Sequence, residues 1–329
     1  MKILIIKLGA KGDVVRSLSI LPALKEKYAE AEIYWVTKKE SVSLFDGNPY
    51  VKKVYPIGER LNESFDQLYN FDIEDDATNL AQKVKAGKKF GFYSEGGYPA
   101  VFNLGSEYYL NTLFDDNLKK ENKRTYQEML FECAELVFKG EHCPIYLSDK
   151  EKKDAEKFAE GLGIKTQKLI GIHMGASKKW PSKIWDRNKV IEFVEKTSKK
   201  GYDILLFGGP DEIKEQKEIS DILRLKKIRF FQNNPNNSDR EFYALVNLCK
   251  TMICSDSLSL HVSLALKKKT IGLFFCTSPS EIEGYGLLKK IIAPRLKEFF
   301  PERMDQYDKE LVNSISADEV LKAVNSFSA

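Results

Sequence analysis

The sequence predicts an α/β protein built from two doubly wound parallel-sheet domains, 1–150 and 151–329, with a central cleft between them. Three observations carry this reading. The chain is 329 residues long, which at roughly 100–200 residues per domain suits two. Short apolar runs alternate with segments of helical periodicity, the pattern of a parallel sheet with crossover helices. The alternation lapses in an aromatic, glycine-containing stretch at 91–112 and restarts at residue 169.

Residues 3–6 (Ile-Leu-Ile-Ile) form an apolar run closed by a glycine loop, which reads as a buried parallel strand. From 14 to 28 apolar residues recur at helical spacing. A strand at 32–37, a short helix, and strands at 53–57 and 67–72 follow, the last ending in acid, and then a helix at 77–86. Residues 119–138 predict one amphipathic helix. A polar stretch at 148–168 holds a helix and the approach to the second half. There the strands are 169–173, 202–207, 228–232, 251–254 and 270–275, with helices from about 186, after 210 and at 257–266. A last helix at 317–327 is expected to be free to pack back on the N-terminal domain. Both halves thus read as Rossmann-like, and ligands of such sheets sit outside the carboxyl ends of the strands.

Composition removes several classes of function. With 43% apolar and 30% charged residues, each half has enough apolar sequence for a core of its own. The net charge of +4 divides into −2 over 1–150 and +6 over the remainder, so the second half is the expected host for a polyanion. That excess is too dispersed for a nucleic-acid binder, which concentrates its basic residues. Five cysteines at 133, 143, 249, 254 and 276 show no CxxC spacing and read as reduced, packed thiols of a cytoplasmic protein. Three histidines, with no HExxH, predict no metal site. No apolar stretch approaches the ~18 residues that span a bilayer. Peripheral association with the inner face of a membrane stays open, and the sequence sets no oligomeric state.

Four loops hold the candidate chemistry. The first, Leu8-Gly9-Ala10-Lys11-Gly12-Asp13, joins the first strand to the first helix. Its glycines match neither GxGxxG nor a Walker loop. Asp13 reads either as a first-turn acid complementing the helix dipole or as a general base. The second, His173 to Pro181, offers small residues Gly175, Ala176 and Ser177 and the lysines 178 and 179 to a diphosphate, or else is a solvated surface loop. In the third, Cys254-Ser255-Asp256-Ser257-Leu258, the acid or a serine reads as a helix cap, or as part of a phosphate and sugar site with His261 one turn on. The fourth, Gly208-Gly209-Pro210-Asp211-Glu212, sets an acid where ribose hydroxyls bind in such sheets, or simply starts a helix.

Together these segments resemble the family 9 glycosyltransferases, the ADP-heptose:lipopolysaccharide heptosyltransferase family. The opening Ile-Lys-Leu-Gly-Ala-Lys-Gly-Asp-Val-Val is similar to the family's strand and loop, Lys178-Lys179-Trp180-Pro181 to its Lys-x-Trp-Pro, and Asp256-Ser257-x-x-x-His261 to its Asp-Ser/Thr-Gly-x-x-His. Thr277-Ser278-Pro279 matches the end of the next strand's signature. Leu258 stands where the family has glycine, Phe275-Cys276 where it has Gly-Pro and Met174 where it often has Pro, which points to an altered substrate fit.

The resemblance implies a GT-B fold, an acceptor-binding first domain and a donor-binding second. It implies inverting transfer of a sugar from a nucleotide sugar, ADP-heptose by this likeness, onto a lipopolysaccharide-core or related glycan. It implies no cofactor and no metal. Asp13 becomes the base. Gly175, Ala176, Ser177, Lys178, Glu212, Asp256, Ser257, Leu258, His261 and Thr277 surround the donor. Gly12, Lys123 and Arg124, beside Lys119 and Lys120, face a glycolipid or oligosaccharide acceptor. The same fold also carries sugar-nucleotide epimerases and non-catalytic nucleotide-sugar binders, since fold alone does not fix chemistry.

Overall fold

The computed structural model describes residues 1–175, 177 and 179–327. Its contacts divide the chain into two units, Met1–Tyr146 with Ser280–Glu283, and Leu147–Pro279 with Gly284–Ala329. The division falls ahead of residue 150 because Ser148 caps the helix that follows: its hydroxyl accepts from the Glu151 amide, and Glu151 returns the bond. Glu151 is also paired with Arg240 at 2.6 Å in the second unit.

The first unit runs β1 (Lys2–Ile6), α1 (Lys11–Ser17), α2 (Ile20–Lys27), β2 (Glu32–Thr37), β3 (Val51–Pro56), β4 (Phe65–Asn70), α3 (Asp75–Lys83), β5 (Ala86–Glu95), β6 (Tyr98–Val101), α4 (Glu107–Phe114), α5 (Asp116–Glu121) and α6 (Tyr126–Cys133). The sheet order is β3-β2-β1-β4-β5-β6. All neighbours are parallel except β5 and β6, a hairpin that runs from Ala86 into the 91–112 stretch that sequence periodicity left unassigned. Leu4, Ile6 and Leu8 pack with Tyr34, Val36, Tyr55, Phe65 and Leu68 in the core.

Two expected helices are each broken in two. The helical pattern at 14–28 is interrupted at 18–19, between α1 and α2. Pro22 has no N–H and is tolerated in a helix's first turn but not in its interior; the break puts it in the first turn of α2. The pattern at 119–138 is interrupted at 122–125. Buried Asn122 accepts from the Arg124 amide at 2.9 Å, and Thr125 opens α6 with a capping box closed by Glu128. A cap of this kind outweighs apolar periodicity locally.

The second unit runs α7 (Asp149–Gly161), β7 (Leu169–His173), α8 (Arg187–Ser198), β8 (Asp203–Phe207), α9 (Ile213–Leu225), β9 (Phe231–Gln232), α10 (Asp239–Leu248), β10 (Thr251–Ser255), α11 (Leu258–Ala265), β11 (Lys269–Phe274), β12 (Leu288–Ile292), α12 (Leu296–Phe299), α13 (Lys309–Asn313) and α14 (Ala317–Asn325). Its sheet, β12-β11-β10-β7-β8-β9, is parallel throughout and repeats the order of the first when each is counted from its own first strand. Helix α14, expected to be free to pack back on the first half, lies against α8 and β11 of its own unit, with Val320, Leu321 and Val324 buried.

In each sheet the first strand lies between the second and the fourth. The order therefore reverses between β1 and β4, and between β7 and β10. Loops leaving the carboxyl ends of those strand pairs are where ligands bind in such sheets.

Candidate active site

In the first unit the loops after β1 and β4 meet. Asp72, just past β4, accepts from the Leu8 and Gly9 amides at 3.1 and 2.8 Å and from the Lys7 ammonium at 3.1 Å. Lys7 also donates to the Phe71 carbonyl at 2.8 Å. Both side chains are buried. Burial opposes the charge on each, but the pairing prevails: the pKa of Lys7 is held above the usual lysine value and that of Asp72 below the usual carboxylate value.

Asp13 lies in the first turn of α1, 34% exposed at its side chain. Its Oδ1 accepts from Arg16 Nη2 at 2.7 Å. The loop passes close by because residue 9 has no side chain: a Cβ there would sit 3.2 Å from Asp13 Oδ2 and 3.4 Å from Asp72 Oδ2. Gly12 is buried in the same turn. Burial disfavours the charge of Arg16, yet Asp13, Tyr126, Tyr109 and Glu281 outweigh that and raise its pKa.

Two of the expected acceptor residues, Lys123 and Arg124, lie just ahead of α6. Lys123 is exposed, and Arg124 stacks on Tyr108 at 4.0 Å and pairs with Glu132. Two residues on, Tyr126 reaches the Asp13 turn through Arg16 and Ser17.

In the second unit, the loop after β7 begins with His173. Its Nδ1–H donates to the Gly175 carbonyl at 3.1 Å. Burial lowers its pKa to about 4, against that hydrogen bond, so the ring is neutral. A Cβ on Gly175 would meet the Glu212 carboxylate at 2.6 Å, so a side chain there would displace that carboxylate. Glu212 itself accepts from the Gly209 amide at 2.7 Å. Ser177 is exposed and accepts from the Lys179 amide at 3.3 Å, while the Lys179 ammonium lies 4.8 Å from the Trp180 ring. Ala176 and Lys178 lie outside the described residues.

After β10 the residues converge. Asp256 sits between Lys183, 3.2 Å from Oδ2, and His261 Nε2, 3.6 Å from Oδ1. The Lys183 and His261 side chains are only 12% and 10% exposed. Neither Asp256 nor Ser255 caps α11; the N-cap is Ser257, whose hydroxyl is bonded to Ser259 Oγ at 2.8 Å and makes no capping bond. Leu258, in the expected glycine's place, is the first residue of α11 and half-buried. Past β11, the Thr277 hydroxyl is buried with no hydrogen-bond partner among the described residues. Burial pushes the neighbouring Cys276 thiol up to about 11, with Lys183 pulling it down and Asp256 raising it, which puts all three groups in one electrostatic neighbourhood. Among the described residues, no group of three or more His, Cys, Asp or Glu has a metal-binding arrangement, and no helix is long and apolar enough to cross a membrane.

The sequence model of glycosyltransferase family 9 (heptosyltransferase) matches residues 54–306, well over half of the chain. The chain belongs to glycosyltransferase family 9. This glycosyltransferase is 24% identical to a lipopolysaccharide heptosyltransferase 1 of Campylobacter coli, over 98% of each chain. Its fold is that of a family 9 glycosyl transferase from Veillonella parvula (TM-score 0.77, 17% identity, 99% of this chain and 96% of that one). It is likewise that of the ADP-heptose lps heptosyltransferase II of E. coli (TM-score 0.72, 19% identity, 99% and 98%). The fold class is therefore GT-B.

Sequence reading missed Lys183, Arg16, Tyr126 and a role for Asp72. Lys183 lies two residues past the Trp-Pro pair, where lysine reads as solvated surface. Its placement comes from distant partners. Ser182 is buried between the Gln306 carbonyl and the Asp308 amide, and Trp185 Nε1 donates to the Ile315 carbonyl at 3.0 Å.

Proposed function

We propose that this glycosyltransferase moves heptose from ADP-heptose onto a lipopolysaccharide-core or related glycan acceptor, with inversion at the anomeric carbon. The observation that carries the reading is the Lys183–Asp256–His261 cluster at the reversal point of the second sheet, in a chain with a full-length lipopolysaccharide heptosyltransferase relative. The first sheet carries Asp13 at its own reversal point.

Asp13 takes the proton of the acceptor hydroxyl as its oxygen bonds to the anomeric carbon. The bond from that carbon to the diphosphate oxygen breaks, and ADP leaves with the electron pair. Positive groups aimed at the developing charge lower the barrier most. Lys178, Lys183, the amides at 175–177 and the start of α11 have that role, the one a divalent cation fills in other transferases. The helix start suits a phosphate because Ser257 makes no capping bond to its first turn. The Thr277 hydroxyl lies in the same loop set. Asp256, with His261, accepts from donor hydroxyls, and Glu212 faces the ribose. Leu258 narrows the donor site relative to the family's glycine. Gly12, Lys123 and Arg124 meet the acceptor on the first unit. The reaction belongs on the cytoplasmic side, at the inner face of the membrane.

A panel of sugar nucleotides, each incubated with the protein with and without a lipopolysaccharide-core acceptor, tests this reading. ADP release is expected from ADP-heptose, and only with acceptor present. Donor conversion without acceptor would make the protein an epimerase, and binding without any release would make it a non-catalytic binder; either overturns the proposal.

A further inference from the structure

The mechanism above gives no part to Arg16, yet this side chain is bound more tightly than a helix-surface arginine requires. An exposed ion pair three residues apart on a helix is ordinarily worth little and free to open. Here the Arg16 side chain is only 16% exposed. Its guanidinium carbon lies over the Tyr126 ring, 3.8 Å from the centre, a close cation–π contact that confines the group. Tyr126 is buried and cannot follow a moving arginine. The Ser17 hydroxyl donates to the Asp13 carbonyl at 2.7 Å, so the Tyr126 hydroxyl, 2.7 Å away, donates to Ser17. The contacts form a closed ring: Asp13 carboxylate, Arg16, Tyr126, Ser17 and the Asp13 carbonyl.

We infer that Arg16 is a positioning residue for the transfer, holding Asp13 by Oδ1 so that its carboxylate is fixed in direction when the acceptor hydroxyl arrives. The inference rests on Asp13 being the base. Lys7, the other buried cation of the cluster, does not substitute, because its ammonium is bonded to Asp72 and the Phe71 carbonyl. Charged and titratable groups around the Asp13–Arg16 pair include Lys7, next after β1, Asp72 after β4, Tyr109 from α4, Tyr126 from α6 and Glu281 from 280–283. Arg16 Nη2 is at hydrogen-bond distance from the Asp13 carboxylate.

The test compares full-length wild type, Arg16→Met, Arg16→Lys and Asp13→Asn. Each is assayed by ADP release from ADP-heptose with a lipopolysaccharide-core acceptor, across pH. Methionine keeps apolar contact with Tyr126 and removes the charge and the Nη2 donor. The expected result for Arg16→Met is a kcat lower by about 10²-fold, the cost of a misplaced reacting group. The donor KM should stay within about twofold. Arg16→Lys should recover part of the rate. If Asp13→Asn is inactive while Arg16→Met keeps the wild-type kcat, the positioning role is overturned alone. If Asp13→Asn transfers at the wild-type rate, the base assignment itself falls. Should Arg16→Met fail to fold, Arg16→Lys decides: a wild-type kcat despite the lost Nη2 geometry overturns the inference.

Discussion

Asp72 shows how one buried side chain shapes a candidate site through the backbone. It binds two consecutive backbone amides and the Lys7 ammonium, and so shapes the loop on which Asp13 stands. Its pKa lies below the ordinary value in the fold. The stability it contributes is thus fully present above about pH 4, the ordinary carboxylate range. It is lost as pH falls through the depressed folded value. Lys7, raised in the fold, contributes below its ordinary value, so the pair is intact across neutral pH. Asp72→Asn leaves the lysine buried and uncompensated, a change that costs about 3–5 kcal/mol. Urea denaturation at pH 7 should show a loss of that order, shrinking as the comparison is moved below pH 4.

At the scale of elements, the strands of both reversal points were legible in the sequence because each is a short apolar run closed by a glycine or acid. The loops after them were legible because residue types such as Gly175, Asp256 and Asp13 suit ligands. What escaped was set by distant partners. The helix expected at 119–138 is cut by a cap at Thr125, and that cut makes Tyr126 the first residue of α6, where it meets Arg16. Strand β12 and helix α10 were missed: β12 mixes two lysines into its apolar run, and α10 follows a polar, asparagine-rich loop. The 3₁₀ turn at 181–183 takes its place from Ser182 and Trp185, whose partners lie more than 120 residues further on. Because that turn is anchored on both sides of Lys183, removing the Lys183 ammonium should leave the fold intact. Lys183→Met is expected to raise the donor KM by about tenfold, roughly one charge-assisted contact, with the acceptor KM and the melting temperature unchanged. Steady-state kinetics with each substrate varied in turn reads both constants.

Across the whole molecule, two sheets share one strand order although the sequence shows no repeat. Each sheet presents chemistry at its own reversal point, and the two sets are of different kinds. The first is an acid held by an arginine and backed by a buried Lys–Asp pair; the second is a lysine, an acid and an imidazole beside a helix start. A base for an acceptor hydroxyl and a cationic cradle for a leaving diphosphate are the two requirements of direct glycosyl displacement. The measurement that tests this division most directly is transfer by Asp13→Asn alongside its affinity for ADP, read by calorimetry. The account predicts a rate lower by about 10²–10⁴-fold with ADP affinity within about twofold of wild type. Transfer at the wild-type rate, or loss of rate only in proportion to lost ADP binding, would contradict it.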